Sequence, residues 1–268
     1  MKKTKIGKTQ QTATLEWIGP AVAAKYMEKN KNPRSVRQSH VDKYVRIIQA
    51  GEFRTAQSIG FDLDGYLRDG QHRLLAIIAT DTPVQMWVIR NMSEDEVLAI
   101  DQGEKRNNSV ILSVDPRAGA VITLASTIMA GSSRAPLTSE LICVRDAILD
   151  PCMDLLHGCT AAPKYIASRF VRLAAVLNMV KSPKHYAYVK TQYPALVRSD
   201  FDVQSKPIQY LYKRLTMSVR SITKSFQFMT AYLAFDPAKA EHKTIVIKDP
   251  TKLSADIQTE LLDIATRA

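Results

Sequence analysis

The sequence predicts an α+β fold: an α+β domain over residues 15–115, then a mostly helical domain over residues 116–268. Three observations carry this reading. In the first part, short runs rich in β-branched and aromatic residues, Ser58–Leu67 and Val84–Arg90, alternate with helix-length segments. Asp64-Gly65 sits between apolar flanks, as a tight hairpin turn needs, because both residues tolerate positive φ. After Pro116 the strand signal gives way to long helical segments separated by Gly, Pro and Asp.

Taken in order, Met1–Thr14 is polar, holds Lys2, Lys3, Lys5 and Lys8 and no acid, and reads as a flexible basic arm. Trp17-Ile18 is a short strand. Pro20 suits a helix start, where its missing N–H costs nothing, and Ala21–Lys29 has good helix propensity. Asn30–Arg37 is a basic, proline-containing loop. Gln38–Ala50 puts Val41, Tyr44, Val45 and Ile48 on one helical face, with Gly51 as its C-terminal cap. A hairpin over Ser58–Leu67 precedes a helix over Arg73–Ala79 and a strand over Val84–Arg90. Ser93-Glu94-Asp95-Glu96 is a capping box that opens a helix running to Ile100, and Asp101–Asn108 is a loop. Four helices are expected next: Ala118–Ala130, Ser139–Leu149, Lys164–Val180 and Ile208–Ala234. Thr244–Ile247 is either a short strand or an extended loop, and Ser254–Thr266 is a final amphipathic helix.

Composition limits the function classes. With 268 residues, 46% of them hydrophobic, the chain can bury a real core. No apolar run approaches the roughly 20 residues that span a bilayer. The basic start, Met1–Lys8, has no apolar stretch behind it and does not read as a secretory signal, so a cytoplasmic protein with no membrane partner is expected. A net charge of +11 favours a polyanionic partner or anionic small molecules. Cys143, Cys152 and Cys159 are odd in number and unevenly spaced, which fits a reducing compartment and incidental thiols. Cys152, His157 and Cys159 match no zinc spacing and lack a fourth ligand, so no metal site is expected there.

The stretch Gly65–Ala76 points to chemistry. It reads as the end of a hairpin running into the first turn of a helix. Glycine at such a junction lets backbone N–H groups approach a ligand, and the helix start adds donors and a partial positive charge. That combination favours an anion, typically phosphate. Gly70 would admit the ligand, with the N–H groups of Gln71 and His72 nearby. Arg73 either grips the phosphate or pairs with a carboxylate such as Asp69. His72 either donates to a phosphate oxygen and moves a proton, or orders the turn as a half-buried imidazole.

These residues resemble a known family. Gly70-Gln71-His72-Arg73-Leu74-Leu75-Ala76 fits the Gly-x-x-Arg-x-x-Ala phosphate motif of ParB N-terminal domains. Gly70–Arg73 is similar to the Gly-Cys-His-Arg turn of sulfiredoxin, and Asp69–Arg73 to the DGQHR signature of DNA-modification-associated proteins. The resemblance runs from Leu15 to Val110. It implies a small mixed sheet and a nucleoside triphosphate, ATP or CTP, with Mg2+ as a companion. Gly70, Gln71, His72 and Arg73 would hold the phosphates. In ParB-type domains a Glu-Asn-x-x-Arg motif follows; here Arg106 matches its arginine, with Lys105 beside it. Gln102 and Gly103 replace the glutamate and asparagine, and a neutral amide is a poorer magnesium ligand than a carboxylate. Asp101 and Glu104 are the carboxylates left to compensate, and with His72 they are the candidate catalytic groups. In the resembling folds the segment of Asn32, Arg34, Arg37 and His40 lies near the nucleotide, so these residues would meet its base or phosphates, contact DNA, or form an exposed, solvated loop. Sulfiredoxin chemistry needs a cysteine where Gln71 stands, so it is set aside.

The helical half carries candidate nucleic-acid contacts. Lys213, Arg220 and Lys224 fall near one stripe, flanked by Arg214. Lys184 and Lys190 lie in a segment that mixes bases with Tyr186, Tyr188 and Tyr193, suited to phosphate contact plus stacking or to packing, the usual role of tyrosine in helical hairpins. The expected function is nucleotide binding, with or without hydrolysis, on or with DNA, a homodimer being one arrangement. The alternative is a non-catalytic module that binds DNA or protein.

Overall fold

The computed structural model describes residues 11–31, 35–99, 107–131, 135–157, 165–217 and 223–267. The chain divides into two compact units, residues 1–105 and 106–268. The first is built on a four-stranded mixed sheet in the order β1-β4-β2-β3, from β1 (Thr12–Ile18), β2 (Ile59–Asp62), β3 (Leu67–Asp69) and β4 (Val84–Met92). β1 runs antiparallel to β4, β4 parallel to β2, and β2 antiparallel to β3. Three helices, α1 (Pro20–Met27), α2 (Gln38–Gln49) and α3 (Gln71–Thr80), bury one face of that sheet. Ile18, Val84, Met86, Val88, Ile59, Phe61 and Leu67 from the strands pack with Ala23, Val41, Ile48, Leu74 and Ile77 from the helices. At about 25 cal/mol per Å² of apolar surface, these closed-over side chains are the main stabilising term.

β1 corrects the sequence reading. Thr12–Thr14 belongs to a strand, where a flexible arm was expected, because these residues pair with Val88–Arg90 far along the chain. Lys2, Lys3, Lys5 and Lys8 lie outside the described residues. The hairpin turns at Gly65 with φ +79°, and the Asp62 side chain accepts from the N–H groups of Asp64 and Tyr66. α4 (Glu94–Ala99) starts with the expected capping box: the Ser93 N–H donates to Glu96, and the Glu96 N–H to the Ser93 hydroxyl.

The second unit is built of helices joined by loops, with no strand among its described residues. It opens with α5 (Asn108–Leu112), which packs on α6 (Pro116–Met129), so the division falls ahead of the expected 115/116 boundary. Gly119 makes the α5–α6 approach close: a Cβ there would lie 2.4 Å from the Ser109 Cβ. α7 (Thr138–His157) continues past the expected end at Leu149 and through Pro151. α8 (Arg169–Met179) is the central helix, with Val171 and Leu173 through Met179 all buried. The Ser168 hydroxyl caps it, accepting from the Val171 N–H, which is why it starts later than the expected Lys164. The buried Asn178 amide donates to the Tyr232 carbonyl at 3.0 Å, satisfying a polar group in the core.

Two differences from the sequence reading remain. α9 (Pro183–Arg198) is a full helix, capped by Ser182 with Pro183 at its first position. The expected single helix Ile208–Ala234 is two, α10 (Lys206–Met217) and α11 (Lys224–Ala234), because Thr223 caps a new start by accepting from the Phe226 N–H. Thr244–Ile247 is an extended loop, and α12 (Pro250–Arg267) closes the chain. Among the described residues no helix is long and apolar enough to cross a membrane.

Candidate anion site at the start of α3

Gly70 caps α3 with φ +104°, a conformation that side-chain-bearing residues rarely adopt. A Cβ at this position would lie 2.3 Å from Ile59 Cγ2. The glycine thus does two things: it turns β3 into α3, and it seats that turn against β2. The helix start has no side-chain cap and no acidic residue in its first turn. The N–H groups of Arg73 and Leu74 both donate to the Gly70 carbonyl, at 3.0 and 3.1 Å. Gln71 is buried, and its amide oxygen accepts from Asn30 Nδ2 at 3.1 Å. Its side chain therefore ties α3 to the loop behind α1.

That loop lies along the sheet edge. Lys31 donates its N–H to Leu67, Leu67 donates to Lys29, and the Lys31 ammonium sits 3.4 Å from the centre of the Tyr66 ring. Arg37 and His40 stand at the start of α3. The Arg37 N–H donates to His72 Nε2 at 3.0 Å, and the His40 and His72 rings stand 5.2 Å apart. Accepting at Nε2 means neutral His72 carries its proton on Nδ1. Burial holds the His72 imidazole below its usual range, helped by positive charge at His40, Arg73 and Arg37. A loop and a helix start that are distant in sequence thus meet in one electropositive place.

Arg73 is anchored from the side. Its Nη2 donates to Asp69 at 2.7 Å, the guanidinium lies 5.8 Å from the centre of the Tyr44 ring, and only 15% of the side chain is exposed. Its buried Nε–H has no hydrogen-bond partner among the described residues. Of the two sequence readings of Arg73, the ion pair with Asp69 is made, and one donor is left over. Asn30 and Tyr44 complete the surroundings. No motif marks them; only the fold brings them in.

The remaining expected groups are placed differently. Asp101, Glu104, Lys105 and Arg106 lie outside the described residues, as do Asn32, Arg34 and Arg220. Among the described residues no group of three His, Cys, Asp or Glu side chains is set to hold a metal ion. Cys152 is buried, and burial pushes its thiol up to about 12, which leaves it inert as a nucleophile. In the helical unit, Arg214 lies against the Tyr210 and Phe226 rings, which brings the end of α10 to the start of α11 and places exposed Lys213 and Lys224 in the same region. Lys190 is ion-paired with Asp154 at 2.6 Å. Lys184 follows Lys181, whose ammonium bonds Tyr232 near the far end of α11. That is eight residues, or about 12 Å of helix axis, from Lys224, so these lysines form two groups.

No family model, curated protein or solved structure matches the chain.

Proposed function

We propose that the chain binds the phosphates of a nucleoside triphosphate, ATP or CTP, at the start of α3 and works with DNA, as the ParB-like resemblance of Gly70–Ala76 implies. The observation that supports this most is the convergence of Arg37, His40, His72 and Arg73 on a helix start without a side-chain cap. An anion there meets the positive end of the helix and the Arg73 guanidinium, with the charge of Arg37 near His72. Asp69 fixes the plane of Arg73, whose buried Nε–H is left without a partner among the described residues. His72 fits a hydrogen-bonding role through Nδ1–H rather than a charged one. The proposal is of binding: hydrolysis would rest on Asp101 and Glu104 and is not part of it. Support for DNA comes from the net charge of +11 and from Lys213, Arg214 and Lys224 at the α10–α11 junction.

Calorimetric titration with ATP, CTP and GTP, with magnesium and with and without duplex DNA, tests the reading. One nucleotide should bind in the wild type and fail in Arg73→Ala. DNA affinity should fall steeply with salt as phosphate contacts release counterions. A second reading, a scaffold whose turn holds a DNA backbone phosphate, draws on Gln102 and Gly103 standing in the magnesium motif. It predicts salt-sensitive DNA binding with no nucleotide bound.

A further inference from the structure

The two edges of the sheet in the first unit are treated differently. β3 is covered: Lys29 and Lys31 bond its backbone at Leu67, and Asn30 bridges to it. β1 has β4 on one side, and among the described residues no backbone bond covers its other side. Sheet edges left open are normally protected by lysine, proline, a bulge, a very short strand or an inward-pointing charge. Of these devices β1 has only the last. It is seven residues long, reads Thr-Ala-Thr-Leu-Glu-Trp-Ile, and keeps an unbroken register with β4. Its one charge, Glu16, is turned inward and neutralised by Arg90 at 2.6 Å, with Tyr26 also bonded to it.

The face beside this edge is apolar and, among the described residues, exposed. Trp17 is 67% exposed, Leu15 43% and Trp87 41%, and these are the chain's only two tryptophans. Leu15 pairs directly with Trp87, and Trp17 lies on the same face two residues along. Tryptophan is usually well buried, so two on one exposed face mark an interaction surface.

We propose that β1 pairs antiparallel with β1 of a second copy of this chain, about a two-fold axis at Leu15. Leu15 is the middle residue of Thr12–Ile18, so this register pairs the whole strand. It sets Ala13 opposite Trp17, giving the indole a small neighbour. It sets Thr14 opposite Glu16, so no like charges face one another. On the exposed face it continues the Trp87–Leu15 pair across the axis into the partner's equivalent pair, a single apolar row over four strands. The chemistry selects a copy of this chain over a single-stranded nucleic acid, because Ala13, Leu15, Trp17, Gln85, Trp87 and Ile89 bring no cation to that face.

Sedimentation of the full chain over a concentration series tests this. The mass should rise from 30.0 kDa toward twice that value, and Leu15→Lys, which sets two lysines opposite one another, should weaken the association by roughly tenfold or more. In a chain with Cys143 and Cys159 replaced by serine, Leu15→Cys should form a disulfide-linked dimer on mild oxidation. Directly opposed antiparallel residues have Cα atoms about 4.5–5.5 Å apart, within disulfide reach. The cross-link decides the matter should Leu15→Lys fail to fold. A mass fixed at 30.0 kDa at every concentration, or no cross-link at position 15, overturns the proposal. Quenching of tryptophan emission by oligothymidylate at that fixed mass would also overturn it and assign the face to single-stranded nucleic acid.

Discussion

Replacing Gly70 with alanine should damage the first unit more than any other single methyl group added to its turns. Two costs follow from the geometry. At φ +104° an L-residue is strained, and the left-handed region alone costs about 1–2 kcal/mol. The new Cβ would also sit 2.3 Å from Ile59 Cγ2 and 3.3 Å from the Ile59 Cα, so backbone as well as side chain must yield. Overpacking of this kind costs about 1–3 kcal/mol. The total is about 2–5 kcal/mol, a large share of a domain's stability. Gly65→Ala is the internal control: φ there is +79° and nothing lies within 4 Å of the added carbon, so only the strain applies. Urea unfolding followed by tryptophan emission reads this unit alone, because Trp17 and Trp87 both lie in it. With m of about 1–3 kcal/mol per molar, the Gly70→Ala midpoint should fall by about a molar or more. A loss no larger than that of Gly65→Ala would refute the claim that the turn is seated on Ile59.

Arg90 hydrogen bonds hold the Glu16 carboxyl well below its ordinary 4.5, at about 2, against the opposing effect of burial. A lowered carboxylate pKa gives stability that is present above the unfolded value and lost as pH falls through the folded one. The urea midpoint should therefore decline from about pH 4.5 toward about 2 in the wild type and decline less in Glu16→Gln; equal slopes would contradict this. Asp115 caps α6 by accepting from the Arg117 N–H at 2.7 Å, so Asp115→Ala should cost the second unit about 1 kcal/mol by circular dichroism. An unchanged transition would deny the cap. In a proton NMR titration, His72 should titrate below the usual 6.5, and Arg73→Ala should move it upward by removing a neighbouring positive charge. No movement would mean that Arg73 does not act on the imidazole.

The sequence disclosed what local chemistry controls. Asp64-Gly65, the Ser93–Glu96 box, Gly70 and the apolar stripe of α2 each act within a few residues, and each lies where it was expected. What it concealed was long-range. β1 needs Val88–Arg90 as a partner, so Thr12–Thr14 alone looked like an arm. α9 is rich in tyrosine and holds Pro194, which masked its helical signal, although Ser182-Pro183 marked its start. In the candidate site, Gly70–Arg73 was legible as a motif. The meeting of Arg37 with His72, and of Arg73 with Tyr44, depends on a loop laid along β3 that no local rule foretells.

The central claim is that an anion binds at the start of α3. Amide-resolved NMR of the full chain, titrated with ATP or CTP and magnesium, addresses it directly. The account predicts saturable shifts of the Gln71, His72 and Arg37 amides, absent in Arg73→Ala. Unmoved amides at those three positions, with shifts confined to the helical unit, would contradict it.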